Sequence, residues 1–195
     1  MKAVGIIGGT FDPIHIGHLI TAQAVREIRN LDKIIFIPAY ISPFKTNNHI
    51  LDSLHRLKMI QLAINEIPFF DYSDFEIKRE NISYTIDTLK KMRETYLDIE
   101  LIIGYDNIID FKKWKDPDAI LEIAKVVVLK RETSVGPNEE DKYYRAAHFV
   151  ETPIIEISSS EIRDRVCEGL PINYLVPEKV KEYIYQNNLY KEKNI

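Results

Sequence analysis

Apolar residues along this chain alternate between two rhythms. Short unbroken runs, Ala3 to Ile7, Lys33 to Pro38, Ile99 to Gly104 and Lys125 to Leu129, have the length of single buried strands. Between them apolar positions recur every three or four residues. Leu19, Ala22, Val25 and Ile28 form one such stripe and predict a helix. Leu54, Leu57, Ile60 and Ile64 form a second, behind Asp52 or Ser53 as its cap. Phe69 to Ile77 predicts a weaker strand, and Ser83 a cap for a helix bearing Ile86, Leu89 and Met92. Asp116 and Pro117 open a helix through Ile123. Pro153 to Ile157 predicts a last strand, with 158–168 and 177–188 helical. Ala39 to Ile50 and Thr133 to Asn138 carry the turn residues of loops.

Strands alternating with helices predict an α/β fold, a doubly wound parallel sheet with helices on both faces. In such sheets ligands sit beyond the carboxyl ends of the strands. Four segments occupy that position in this reading: Gly8-Gly9-Thr10, Pro43 to Lys45, Gly104-Tyr105-Asp106 and Ser158-Ser159-Ser160. At 195 residues the expectation is one domain, 1–195, with C-terminal helices from about 158. The apolar share of 45%, charged share of 29% and net charge of −4 suit a globular protein and argue against broad nucleic-acid binding. Cys167 is the only cysteine, which excludes an intrachain disulfide and points to the cytoplasm. No apolar run nears the ~18 residues of a membrane span, and the N-terminus lacks a signal peptide's cleavage pattern.

The chemistry concentrates where the first strand meets the first helix, in Gly8-Gly9-Thr10-Phe11-Asp12-Pro13-Ile14-His15-Ile16-Gly17-His18. Glycines let backbone N–H groups approach an anion, and a helix start adds partial positive charge. His15 and His18 project from one side of that start. The string is neither a P-loop nor a G-x-G-x-x-G fingerprint, since both patterns are missing. Ser158, Ser159, Ser160 and Arg163 offer hydroxyls, N–H groups and a forked guanidinium at a second helix start. Ser158 and Glu161 also form a capping box, which is compatible with phosphate binding.

Thr10 to His18 resembles the first signature of the nucleotidyltransferase superfamily, and Ile157 to Arg163 its second. Along most of its length the chain is similar to the bacterial nicotinate mononucleotide adenylyltransferase family. Pro38, Pro43-Phe44-Lys45, Arg56 to Met59, Ser83 to Leu89, Ile103 to Asp106, Trp114, Tyr183-Ile184 and Leu189-Tyr190 carry the likeness. Phe44 stands where that family's loop usually has histidine, and Tyr105 where it usually has alanine or a variable residue. The resemblance implies the nucleotidylyl transferase fold, and transfer of AMP from ATP to nicotinate mononucleotide. The products are pyrophosphate and deamido-NAD, and Mg²⁺ accompanies ATP.

On that resemblance, His18 and His15 are the catalytic pair, with His18 on the α-phosphate. Gly8, Gly9, Thr10, Phe11, Ser158, Ser159 and Arg163 complete the ATP site. Lys45, Thr85, Gly104, Asp106 and Trp114 hold the acceptor. Asp106 has a second reading as a helix cap, Trp114 as a half-buried core aromatic, and Lys45 as a solvated surface residue. His49, His55 and His148 read as structural or exposed. ATP and nicotinate mononucleotide are the expected partners, with no nucleic acid and no membrane. The alternatives are a sibling acceptor (nicotinamide mononucleotide or phosphopantetheine) and a non-catalytic nucleotide-binding module. The letters His15-Ile16-Gly17-His18 also spell a motif of class I aminoacyl-tRNA synthetases, but the chain has neither the lysine-rich second motif nor tRNA-binding extensions. A metal held by His15 and His18 would lack a third ligand nearby.

Overall fold

The first and third apolar runs become neighbouring central strands. β1 (Val4–Gly9) and β4 (Ile99–Gly104) lie side by side, with Ile7 opposite Ile102. β2 (Ile34–Pro38) and β3 (Phe70–Tyr72) extend the sheet on one side. β5 (Lys125–Leu129) and β6 (His148–Val150) extend it on the other. Every pairing is parallel and the order is β3-β2-β1-β4-β5-β6. This computed structural model describes residues 3–43, 50–130 and 140–191.

Parallel strands covered on both faces have no solvent side, which is why β1, β2, β4 and β5 are apolar runs rather than alternations. One face packs under α1 (Ile16–Ile28), α2 (Ser53–Ile64), α8 (Ser159–Cys167) and α9 (Glu178–Gln186), through Ala22, Val25, Met59, Ile60, Ile162 and Ile184. The other packs under α4 (Thr85–Arg93), α5 (Tyr105–Ile109) and α6 (Pro117–Ile123), through Ile86, Leu89, Ile108 and Ile120. Two short helices, α3 (Phe75–Arg79) and α7 (Lys142–Ala146), and a 3-10 turn over Phe111–Lys113 complete the described elements.

Five expectations are corrected. The strand predicted over Phe69 to Ile77 stops at Tyr72, and Ile77 lies in α3, where it is buried. Pro153 to Ile157 is irregular, because β6 already occupies the free edge of β5 and Pro153 has no N–H for a ladder. Ser158 to Ser160 therefore do not follow a strand. Ser83 does not cap α4; Tyr84 holds that position, and the Ser83 hydroxyl accepts from Tyr40 N at 2.9 Å. The buried stripe of α2 is Ser53, Arg56, Met59, Ile60 and Ile64, so Leu54 is exposed. The stripe turns because Arg56 is buried, for a reason that lies in the site.

Candidate active site

The strand order reverses direction between β1 and β4, so the chain leaves these two strands toward opposite faces and opens a crevice at their carboxyl ends. A cleft of about 1180 Å³ lies there. Gly8 to Asp12, His15 and His18 line it from the β1 side, and Gly104, Asp106 and Asn107 from the β4 side. Ser158, Ser159, Ser160 and Arg163 close one flank, while Thr85 and Trp114 line another part.

The loop after β1 is held from behind by its carbonyls. Gly9 O accepts from Ala39 N at 2.9 Å and Thr10 O from Arg56 Nη1 at 2.7 Å. Asp12 O accepts from Arg163 Nη1 at 2.8 Å and Pro13 O from the Ser159 hydroxyl at 2.9 Å. A planar trans peptide points its N–H opposite its C=O. Tying the Gly9 and Thr10 carbonyls backward thus turns the N–H groups of Thr10 and Phe11 toward the cleft they line. Two glycines serve close approach. A Cβ on Gly17 would lie 3.1 Å from His15 Nδ1 and 3.2 Å from Ile155 Cγ2. A Cβ on Gly8 would meet no protein atom within 4 Å and would stand in the cleft.

His15 is buried and His18 partly so, with ring centroids 3.6 Å apart and planes tilted by 30°. His18 Nδ1 accepts from His15 N at 3.2 Å. An accepting Nδ1 carries no proton, so the neutral His18 ring is protonated at Nε2 and donates from there. Phe11, whose backbone is left-handed (φ 50), packs edge-on to this ring at 5.1 Å.

Beneath the loop lies a polar framework of residues that the sequence offered only in the first motif and the family likeness, without their mutual contacts. Arg56, 1% exposed, donates to the carbonyls of Leu51, Thr10 and Tyr40. Burial pulls its pKa down, opposed by the charge of Asp12. Asp12, 4% exposed, accepts from Tyr190 Oη at 2.7 Å and from Leu51 N at 3.3 Å. The sequence signal for Arg56 was available: it sits three residues before Met59 and four before Ile60, within the apolar stripe. Tyr190 entered the sequence analysis only through the family likeness, and nothing there pointed to Asp12, 178 residues away.

A cytidylyltransferase-like family model matches residues 6–165. The chain is 41% identical over 199 residues to a protein of Thermoanaerobacter sp. (strain X514) named "Probable nicotinate-nucleotide adenylyltransferase", covering 97% of this chain and 94% of that one. It is 40% identical to a protein of the same name from Caldicellulosiruptor bescii, covering 96% and 98%. The chain belongs to the nicotinate-nucleotide adenylyltransferase family. Its fold is that of Plasmodium falciparum nicotinic acid mononucleotide adenylyltransferase complexed with NaAD, at a TM-score of 0.79 and 21% identity, covering 97% of this chain and 98% of that one.

The predicted ATP residues of this family member gather on one side of the cleft. Ser158 caps α8, accepting from Glu161 N at 3.1 Å, so the capping reading holds for its hydroxyl. The Ser159 hydroxyl hydrogen is committed to Pro13 O. Arg163 spans the two signatures, with Nη1 on Asp12 O and Nη2 on the Ser160 hydroxyl. On the acceptor side, Thr85 is the first residue of α4 and Gly104 caps α5. Asp106 is exposed within α5 and is not its cap. Trp114 is half-buried against Phe111, 5.0 Å between centroids, and still lines the cleft. Lys45, Phe44 and His49 lie outside the described residues.

Other residues fall into supporting places. Tyr105 is buried beside Tyr144 and Phe149, away from the cleft, so its bulk replaces the family's smaller residue without filling the site. Glu76, also missed in the sequence, is buried and accepts from the Thr88 hydroxyl at 2.5 Å. Burial pushes its pKa up, while hydrogen bonds from Ser83 and Thr88 pull it down. It thereby anchors the start of α4, where Thr85 sits. His55 hydrogen-bonds Tyr183 Oη through Nδ1 at 2.8 Å, and His148 is exposed in β6.

Proposed function

We propose that this chain transfers AMP from ATP to the 5′-phosphate of nicotinate mononucleotide, yielding deamido-NAD and pyrophosphate for NAD biosynthesis. The observation that carries this is its full-length relation to curated nicotinate-nucleotide adenylyltransferases at about 40% identity. An acceptor phosphate oxygen attacks the α-phosphorus as the bond to the β-phosphate oxygen breaks, and pyrophosphate leaves with that electron pair. The nucleophile is already anionic, so no strong base is needed. The protein must hold two polyanions in line and offset charge that grows at the α-phosphate.

In this proposal His18 Nε2–H donates to the α-phosphate as its charge develops. His15 positions His18 through the bond from its N–H to Nδ1, and lines the triphosphate channel. Gly8, Gly9, Thr10 and Phe11 offer backbone N–H groups to the triphosphate. Arg163 meets the distal phosphates with the donor positions it does not spend on Asp12 and Ser160. Ser158 and Ser159 cap α8 and tie it to the loop, with the Ser159 N–H at the helix start facing the anion. Thr85 and Trp114 hold the nicotinate ring, Gly104 and Asp106 the ribose side, and Lys45 the acceptor phosphate.

Nucleotidyltransferases of this kind use ATP with a divalent metal; here the proposed ion is Mg²⁺. Among the described residues no three His, Cys, Asp or Glu side chains gather into a metal-holding group. The donor set fits an ion that arrives with the triphosphate, liganded by phosphate oxygens and water. That ion supplies charge neutralisation on the phosphates. No described helix is long and apolar enough to cross a membrane. The proposed setting is the cytoplasm, and the proposed unit a single domain over 1–195.

The test is pyrophosphate release with ATP and each of four acceptors: nicotinate mononucleotide, nicotinamide mononucleotide, FMN and phosphopantetheine. The nicotinate form should exceed the nicotinamide form by well over tenfold in kcat/KM. Thr85 opens α4, and a helix start with a hydroxyl suits a carboxylate that accepts at both oxygens. An amide presents NH₂ to the same donors, a mismatch that can cost up to ~10⁴-fold. Equal turnover of both would remove the carboxylate pocket, and preference for phosphopantetheine would remove the assignment.

A further inference from the structure

We infer that the Tyr190 hydroxyl is a positioning group of the ATP site, acting through Asp12 on Arg163. The inference rests on the proposed binding of ATP at the loop after β1. Tyr190 follows α9 by four residues, and both Asn188 and Tyr190 hold left-handed backbones, at φ 53 and 60. Non-glycine residues rarely adopt that conformation. Two within three residues bend the chain so that the Tyr190 ring packs on the core and its hydroxyl reaches the cleft wall.

That hydroxyl donates to Asp12 Oδ1 at 2.7 Å, while Oδ2 has the longer bond from Leu51 N at 3.3 Å. Burial, then the adjacent Asp12 carboxylate, raises the pKa of the Tyr190 phenol, so it stays a donor at any pH at which the protein works. Asp12 is an acid on the cleft wall, and Arg163 lies beside it: Nη1 bonds the Asp12 main-chain oxygen, and the arginine's charge is felt at the Tyr190 phenol that the carboxylate holds. The side-chain carboxylate and the triphosphate are rivals for the same guanidinium. The Tyr190 hydroxyl decides the contest by occupying Oδ1 and keeping the carboxylate turned toward the chain end. Arg163 then bonds only the main-chain oxygen of Asp12 and keeps its remaining donors for phosphate.

Tyr190→Phe keeps the ring and removes only the donor. Titration of ATP, and separately of nicotinate mononucleotide, into the full-length wild type, Tyr190→Phe, Arg163→Ala and the double variant tests the idea, with Tm measured for each. The expected result is about tenfold weaker ATP binding by Tyr190→Phe, the scale of one hydrogen bond to a charged group, with acceptor affinity within about twofold. The double variant should bind ATP no worse than Arg163→Ala, because the route through the arginine is already gone. Unchanged ATP affinity in Tyr190→Phe overturns the inference, as do additive losses in the double variant. An equal loss for both ligands with a lower Tm overturns it in favour of packing. Failure of the wild type to bind ATP would instead remove the proposed function, and the inference with it.

Discussion

Gly5→Ala and Gly8→Ala add the same methyl group to one strand, β1, with opposite consequences. At Gly5 the new Cβ would lie 2.5 Å from Ile34 Cδ1, 2.7 Å from Ile102 Cδ1 and 2.8 Å from Leu31 Cδ1. These three neighbours are at most 2% exposed, so none can swing into solvent. Overpacking of that kind costs roughly 1–3 kcal/mol. For a chain of this size each kcal/mol is about 2–4 °C, so Tm should fall by roughly 2–12 °C. At Gly8 the methyl meets no protein atom, and the strand gains slightly, by up to ~1 kcal/mol, from a less flexible unfolded chain. What it displaces is ligand. If a phosphate oxygen loses one charge-assisted hydrogen bond to this loop, about 1.5–3 kcal/mol goes with it, or roughly 10- to 150-fold in ATP affinity. Calorimetric melting and ATP titration on both variants separate the effects. Wild-type ATP affinity in Gly8→Ala would show that the triphosphate does not approach β1 at this residue.

Three further substitutions address named roles. His18→Ala should lower kcat for pyrophosphate release by roughly 10²–10³ with far less change in ATP affinity, since its bond strengthens only as charge develops; near-normal kcat would exclude it from the chemistry. Arg163→Ala should weaken ATP more than the acceptor, and Arg163→Lys should not fully restore it, because lysine lacks the planar fork. A fall in Tm with unchanged ATP binding would reduce Arg163 to its tie on Asp12 O. Trp114→Ala should weaken nicotinate and nicotinamide mononucleotides together by about tenfold, as stacking is blind to the ring substituent; a changed ratio between them would mean that Trp114 reads the carboxylate.

The strands and the motifs were legible in the sequence for different reasons. β1, β2, β4 and β5 are buried on both faces, so each announces itself as an apolar run. The edge strands do not: β3 and β6 are three residues each, and His148 at the start of β6 is exposed. Pro153 to Ile157 has the letters of a strand, yet pairing is a property of the partner, and β5 was already paired. The residues of the two signatures were found because their chemistry is local in sequence. The mutual contacts of Arg56, Asp12, Tyr190 and Glu76 were missed because, Arg56 to Leu51 apart, their bonds span 12 to 178 residues, and nothing local marks a partner so distant. The helix stripe of α2 misled for the same reason. A buried arginine looks polar until the carbonyls that satisfy it are in place.

An acidic chain that binds polyanions has to build its positive field locally, and Arg56 shows one way to do so without touching the ligand. Its net surroundings are unfavourable: the molecule carries −4, and Asp12, Asp106 and Asp164 line the same cleft. A surface cation would be screened over about a Debye length of 8–10 Å and would serve any anion. Arg56 is buried, where screening is weak, and it draws three carbonyl oxygens inward. Each carbonyl so drawn belongs to a peptide whose N–H end faces the other way. At Thr10 that end is the N–H of Phe11, on the cleft wall. The guanidinium thus fixes dipoles before any ligand arrives, and fixed dipoles need no reorganisation when charge develops. Burial lowers its pKa, and a guanidinium, the most basic of the side chains, tolerates that while remaining charged. Lysine would not serve as well, for one ammonium cannot hold three carbonyls in a plane and loses its proton more readily when buried.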